Sequence, residues 1–295
     1  MKQKINKFRY WAFVTSGEQT NLTEDDKELA KYLTERGIAI SPAVWDDSII
    51  NWNQYDAIIL RSTWDYFLKP IEFDNWLDKL ESLNCKVLNP VSVVKWNKSK
   101  KYFTEFSEKG ILIPTYKFCV RGTDKNLGFI LQENNWNKAV VKPAISCGSY
   151  NTWIATESIS KYDELRFSDM LQEGDVIVQQ FINEIITDGE LSLIYFNKQF
   201  SHAIRKRAAE NDFRVQPKFG GKITIEQPDE NILKIATEIL NEIKEPLLYA
   251  RVDGIVTNNG KFSLMELELI EPILFVKGNQ KACENFYNAA IQLIY

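Results

Sequence analysis

Apolar and polar positions alternate from Tyr249 to Glu271 in two runs, YARVDGIV and KFSLMELELIE, on either side of Asn259-Gly260. A period of two predicts half-buried strands. Asn-Gly between such runs predicts a two-residue hairpin turn, because both central residues of a type I′ turn need positive φ. Pairing symmetrical about that turn sets Asp253 opposite Glu266 and Arg251 opposite Glu268. All four then share one face, with Val252 and Leu267 on the other. Opposed carboxylates repel. Either a divalent cation compensates them, Mg²⁺ being suited to carboxylate oxygens, waters and phosphates, or the face is solvated and Arg251 pairs with Glu268. The pattern alone leaves both readings open.

Upstream, RYWAFVTS reads as a first strand. A helix follows from Glu24 to Arg36, with Thr23 as cap, Asp26 in the first turn and Gly37 as stop. Ile38–Val44 is a second strand, and DAIIL (Asp56–Leu60) suits a buried parallel one. A helix over Ile71–Leu83, a short strand at Lys86–Leu88 and the Asn89-Pro90 breaker complete an open α/β layer. Ligands of such layers bind beyond the carboxyl ends of the strands. That puts the loop from Arg61 to Tyr66, RSTWDY, at the mouth of a site. Arg61 there either clamps a carboxylate or pairs with Asp65 while Trp64 and Tyr66 cover the sheet edge.

A helix is expected from Lys98 to Lys109, its lysines Lys98, Lys100 and Lys101 forming a solvated face. In VVKPAISCGSYNTW (Val140–Trp153) a strand delivers Lys142, Pro143 closes it, and Ser146, Gly148 and Ser149 make a small-residue loop. Such a loop lets backbone N–H groups cradle an anion, or it is a plain hairpin connection. DVIVQQFI is a buried strand, and ELSLIYF and QFSHAIRK pair about Asn197-Lys198. Arg205, Lys206, Arg207 and Arg214 concentrate positive charge, for phosphate or for local salt bridges. Helices over Glu230–Ile243 and from Asn279 close the chain.

The 295 residues, 44% hydrophobic and 26% charged, suit a soluble protein of two or three domains. No apolar run approaches a membrane span. The start, MKQKINKFRYWAFV, lacks a small-residue cleavage site and reads as a strand, not a signal peptide. Cys85, Cys119, Cys147 and Cys283 are scattered, which fits a reducing cytoplasm and argues against a zinc ribbon or disulfide scaffold. A net charge of −4 argues against a general nucleic-acid surface. His202, the single histidine, excludes HExxH and is the one residue on which a histidine-based triad could draw. Walker A and GxGxxG motifs are absent, so a nucleotide would bind in another way.

In their order and spacing, WNKSKKYF, VVKPAISCGSYNTW, VQQFINE, FSHAIRKR, DFRVQPKFGG and ARVDGIV…LMELELIEP resemble the ATP-grasp superfamily over nearly the whole chain. The branch is the glutathione-synthetase-like and ribosomal-protein-glutamate-ligase-like one. RSTWDY and ELELIEP are similar to the small cycloserine-forming-type ligases. The resemblance implies a mixed α/β and α+β architecture: an N-terminal parallel α/β domain (1–92), a central lobe with a phosphate loop (93–181), and a C-terminal lobe with a metal-binding hairpin (182–295). It implies ATP and Mg²⁺, with Mn²⁺ as an alternative, and an ADP-forming carbon–nitrogen ligase working through an acylphosphate. Its partners would be small-molecule carboxylates and amines, and a homodimer is the family expectation.

By the same resemblance, Lys100 and Lys142 contact the phosphates, and Ser146, Gly148 and Ser149 fold over them. Gln180, Phe181 and Ile182 form the adenine hinge, and Glu184 or Glu190 reaches the ribose. Asp253, Glu266 and Glu268 hold metal, while Arg251 and Arg214 stabilise the transferred phosphoryl group. Arg61, Asp65 and His202 face the substrate. Two departures stand out: Glu268 occupies a position where the branch commonly has asparagine, and Cys147 and Tyr150 add bulk to the phosphate loop. In this context the opposed carboxylates read as metal ligands. A non-catalytic nucleotide-binding module and a small-molecule kinase are the alternatives.

Overall fold

Buried apolar strands alternating with amphipathic helices build a parallel sheet at the start of the chain. The computed structural model describes residues 9–210, 212–215 and 219–295. The basic leader before Arg9, together with Asn211 and with Gln216, Pro217 and Lys218 of the DFRVQPKFGG segment, lies outside the described residues. β1 (Arg9–Thr15), α1 (Glu24–Thr34), β2 (Ile38–Val44), β3 (Ala57–Ser62), α2 (Pro70–Ser82) and β4 (Val87–Leu88) give the strand order β2-β1-β3-β4. All its pairings are parallel. Thr23 caps α1 by accepting the Asp26 N–H at 3.0 Å. The order reverses between β1 and β3, so their carboxyl ends frame the crevice where such sheets take ligands.

The lysine-rich helix expected from Lys98 to Lys109 is two helices, α3 (Val91–Asn97) and α4 (Tyr102–Glu108). Between them the Lys100 N–H leaves the helical ladder and donates to the Ala144 carbonyl at 3.0 Å. Lys100 is consequently only 6% exposed and belongs to no solvated face.

β5 (Tyr116–Cys119), α5 (Leu127–Glu133), β6 (Lys138–Pro143), β7 (Trp153–Thr156), α6 (Lys161–Glu173) and β8 (Val176–Gln180) form an antiparallel sheet of order β5-β8-β6-β7. β5, α5 and α6 lie outside the elements expected above. A reciprocal Ser160–Asp163 capping box starts α6. Phe167, Val141 and Val178 fill the core of this unit.

α7 (Glu184–Thr187), β9 (Glu190–Phe196), β10 (Gln199–Arg207), β11 (Lys222–Glu226), α8 (Glu230–Asn241), β12 (Tyr249–Val256), β13 (Phe262–Glu268) and α9 (Gln280–Ile294) complete the chain. The large antiparallel sheet runs β11-β10-β9-β12-β13. One of its faces packs on the parallel sheet: Trp11 and Phe13 share a core with Phe196, Leu248, Tyr249 and Phe286. The Tyr249 hydroxyl sits at this junction, 2.6 Å from the Leu60 carbonyl and 2.7 Å from that of Ile270.

The hairpin turn differs from expectation. Val256 pairs with Phe262, the Thr257 N–H donates to the Lys261 carbonyl, and Gly260 alone of the loop has positive φ. This is a three-residue loop closed by a left-handed glycine. It offsets the register by one, giving Gly254 opposite Leu264. A β-bulge at Met265 then restores Asp253 opposite Glu266 and Arg251 opposite Glu268. The bulge lets Leu264 and Leu267 both enter one core, while Met265 packs with Ile185, Val215 and Ile255 on the other face.

Helices α3 and α4 cover the free edge of β13. The Asn97 amide donates to the Leu267 carbonyl and accepts the Leu269 N–H, both at 2.9 Å. The Tyr102 hydroxyl accepts the Leu267 N–H at 3.1 Å. Among the described residues no helix is long and apolar enough to cross a membrane.

Close approach of β12 to β13 requires Gly254. A Cβ there would meet the Phe262 ring at 2.2 Å and the Ser263 carbonyl at 2.7 Å. Gly254→Ala is expected to cost about 1–3 kcal/mol in urea unfolding, and adding Phe262→Leu should return part of it. An unchanged midpoint for Gly254→Ala would show that the strands do not lie this close.

Candidate active site

Asp253 occupies the middle of β12, flanked by Ser192 of β9 and Glu266 of β13. Ser192 Oγ donates to its Oδ1 at 2.6 Å, and Lys206 Nζ donates to Oδ2 at 3.2 Å. Arg251 approaches both oxygens, with Nε at 3.0 and 3.1 Å and Nη2 at 2.9 Å from Oδ2. Lys206 also pairs with Glu190, and Arg251 with Glu268. The result is an alternating string: Glu190, Lys206, Asp253, Arg251, Glu268. Burial alone would raise the Asp253 carboxyl; Arg251 and Lys206 outweigh it and bring it to about 2. Burial pushes Glu268 the other way, to about 7, against the pull of Arg251.

Glu266 faces two lysines from other parts of the chain. Lys100 Nζ is 3.2 Å from its carboxylate and 3.3 Å from the Ser146 carbonyl. Burial lowers Lys142 of β6 to about 8; Glu266 resists that shift and Lys100 adds to it. The loop after β6 has Gly148, Ser149 and Asn151 at positive φ. Its Tyr150 ring lies against Phe67, centroids 4.8 Å apart, so the loop rests on the segment beyond β3. Beside this polar floor is an apolar patch of Ile185, Val215 and Ile255, with Phe181, Ile182 and Met265 packed on it. A cationic corner next to an apolar patch suits a molecule that is anionic at one end and flat and apolar at the other.

Comparisons with known proteins bear on the fold. The family model described as D-cycloserine synthetase DcsG, N-terminal domain, matches residues 11–89. The cycloserine biosynthesis protein DcsG of Streptomyces lavendulae is 23% identical over 289 residues, which cover 94% of this chain and 96% of that protein. The crystal structure of D-cycloserine synthetase DcsG aligns with a TM-score of 0.86 at 22% identity, covering 97% of this chain and 100% of its own. D-alanine–D-alanine ligase from Bacillus anthracis, complexed with ATP, aligns at 0.71 with 15% identity over 97% and 98%. The ATP-grasp ligase PsnB complexed with minimal precursor aligns at 0.64 with 13% identity over 95% and 99%. This chain has the ATP-grasp fold.

On that fold the expected residues fall into two groups. Lys100, Lys142, Glu190, Arg251, Asp253, Glu266 and Glu268 line one connected cluster, and Phe181 and Ile182 pack on the apolar patch. The carboxylates of Asp253, Glu266 and Glu268 do not form a trio. Among the described residues no group of three or more His, Cys, Asp or Glu is arranged to hold a metal ion. The Glu266 and Glu268 side chains are 35% and 29% exposed, whereas Asp253, at 2%, is enclosed by its own cations. Two accessible oxygen donors nevertheless suit a hard divalent cation that takes its remaining ligands from phosphates and water. Glu184 accepts the Asn258 N–H at 3.0 Å and thereby steadies the hairpin loop. The Gln180 N–H is donated to Thr115. The neighbouring Gln179 side-chain amide lies 4.0 Å from Met265 Sδ.

The residues expected to face substrate belong elsewhere. Arg61 is 1% exposed, because every residue of β3 is buried. Its Nε donates to Asp26 at 2.7 Å and its Nη2 to the Pro272 carbonyl at 3.0 Å. It is neither an open clamp nor the partner of Asp65, which accepts from Trp45 Nε1 at 2.7 Å. His202 has Nε2 2.8 Å from the Leu274 carbonyl and Nδ1 3.0 Å from Ser201 Oγ, and burial lowers its pKa. Arg214 is engaged by Asp212 at 2.8 Å and lies 3.7 Å over the Phe219 ring. Ser192 and Glu271 were given no role from the sequence, and Lys206 was read only within a basic run, for phosphate or for local salt bridges; the structure pairs it with Glu190 and Asp253. Lys206 stood in a visible basic run, but its position opposite Glu190 appears only once β9 and β10 are in register.

Lys142 is expected to titrate near pH 8 in pH-dependent acylation followed by mass spectrometry, well below ordinary lysines. Glu266 favours its charged form, so Glu266→Gln should move that midpoint lower. A midpoint near that of the exposed lysines would remove Lys142 from the cluster.

Proposed function

We propose that this protein is an ATP-dependent, ADP-forming ligase that joins a small amino-acid-like carboxylate to an amine or a related nucleophile. The observation that carries this reading is the convergence of Lys100, Lys142 and two accessible carboxylates beside an apolar patch, on a fold that in D-alanine–D-alanine ligase is complexed with ATP and in PsnB with Mg and ADP. The patch takes the base, and the two lysines take the phosphates as charge-assisted pairs. A substrate carboxylate oxygen attacks the γ-phosphorus, ADP leaves, and an acylphosphate forms. The nucleophile then attacks the acyl carbon, phosphate departs, and the attacking nitrogen loses a proton.

Positioning and electrostatics suffice for such a transfer. Asp253 holds Arg251 by two nitrogens and so fixes the guanidinium toward Glu268 and the transferred group. Glu266 and Glu268 would hold Mg²⁺, or Mn²⁺ in its place, which supplies charge neutralisation at the phosphate oxygens. The loop from Ser146 to Asn151, resting on Phe67 through Tyr150, keeps water from the acylphosphate. The residue divisions 1–92, 93–181 and 182–295 remain the working lobes of this reading. We place the protein in the cytoplasm, in keeping with its four free cysteines.

Thermal unfolding with ATP, ADP or a non-hydrolysable analogue, with and without Mg²⁺, tests the reading. At a hundredfold excess over Kd a ligand of the folded state adds about 2.7 kcal/mol. A Mg²⁺-dependent rise in Tm is expected, smaller in Lys142→Ala. Glu266→Gln should cut amino-acid-stimulated ADP release by at least about 100-fold. No Tm rise at millimolar nucleotide would overturn the assignment.

A further inference from the structure

Every carboxylate in the cluster described above has a cation from the protein itself. Asp253 and Glu268 have Arg251, Glu190 has Lys206, and Glu266 has Lys100. Glu271 differs. It is 8% exposed, has no ion pair among the described residues, and its Oε2 is buried without a hydrogen-bond partner. Burial raises its carboxyl well above the usual range, and Glu268 and Glu266 add to the rise. A buried carboxyl left this way is costly unless something else supplies the partner.

Its position narrows what that partner is. Glu271 follows Glu268 by three residues, where the chain leaves β13 and passes the mouth of the parallel sheet. Trp64 Nε1 donates to its carbonyl at 3.2 Å, and Arg61 to that of Pro272 at 3.0 Å. The Cys147 thiol is within hydrogen-bonding reach of its carboxyl, and Lys100 and the Tyr66 hydroxyl act on it electrostatically, which still leaves Oε2 without a partner. Glu271 thus stands between the phosphate loop and the β1–β3 crevice. At that crevice the Thr15 and Ser62 hydroxyls, in register on adjacent strands, are also buried without partners, as is that of Thr63. Glu266 and Glu268 nearby make a cationic partner for this carboxyl more favourable than a neutral one.

We propose that Glu271 binds a positively charged nitrogen of the small substrate and so selects amino-acid-type carboxylates over their des-amino counterparts. The assignment rests on the ligase reading and adds the residue that recognises the ammonium group. In an α-amino acid the ammonium is two bonds from the carboxyl carbon. Fixing it at Glu271 therefore also fixes the carboxylate that must meet the γ-phosphate, near Glu266 and Glu268.

The test compares wild type and Glu271→Gln, which keeps the shape of the side chain and removes its ability to ionise against an ammonium group. The probes are a panel of free D- and L-amino acids, each with the corresponding des-amino acid (alanine with propanoate, serine with 3-hydroxypropanoate). The readouts are ADP release and Tm in the presence of Mg²⁺ and ATP. Wild type is expected to respond to at least one amino acid and at least about tenfold less to its des-amino partner. In Glu271→Gln the KM for that amino acid should rise tenfold or more, the preference over the des-amino acid should collapse, and the KM for ATP should stay within twofold. Equal preference in the two proteins, or a wild type that ignores the amine, overturns the proposal while a nucleotide-induced Tm rise leaves the ligase reading intact. A panel in which no amino acid acts, despite that Tm rise, also overturns it. If Glu271→Gln does not fold, the amine preference of wild type alone decides. Absence of the Tm rise in wild type marks failure of the ligase reading itself.

Discussion

One extra residue in β13 governs where the charge of this protein points. The turn after β12 is three residues long and shifts the hairpin register by one. Without the bulge at Met265 the shift would persist, and side-chain alternation would send Glu266 and Glu268 to the face that holds Leu264. Two carboxylates would then enter the core against Phe103, Leu191 and Leu264, at a desolvation cost no hairpin could bear. The bulge also aims Met265 into the apolar patch, so a single insertion sets both the polar floor and the wall beside it.

Given that geometry, the string from Glu190 to Glu268 contains three acids, Glu190, Asp253 and Glu268, and two bases, Lys206 and Arg251. Asp253 sits between the bases and is satisfied on both oxygens. The accessible carboxyls lie at the exposed end, Glu268 with Glu266 beside it. Asp253 works as an anchor for two cations. The resemblance implied metal binding by Asp253, Glu266 and Glu268; the fold buries Asp253 and leaves the other two partly exposed.

What could be read from the chain follows how local the determining forces are. β2 emerged with the expected limits, and the turn at Asn197-Lys198 has both residues at positive φ, as a two-residue hairpin requires. The pairing of Asp253 with Glu266 was legible too, but by two compensating departures, a longer turn and a bulge. The lysines after Asn97 were misleading because a contact distant in sequence, Lys100 to Ala144, breaks the helix and buries the side chain. Arg61 misled in the same way: its partners, Asp26 and the Pro272 carbonyl, come from opposite ends of the chain. Glu271 had no local signal, since its isolation depends on the phosphate loop, the end of β3 and the end of β13 meeting.

The side chains that cover β13 have a consequence outside the charged cluster. A strand at the rim of a sheet is a template on which another chain can add its own strand. Asn97 imitates a peptide unit against Leu267 and Leu269, and Tyr102 takes the Leu267 N–H. The rim nearest the charged residues is thus sealed by two side chains of a short helical pair. The same pair carries Lys100 to Glu266. Protection of this strand edge and the placing of Lys100 against Glu266 therefore share one structural origin, and loosening α3 and α4 would compromise both together.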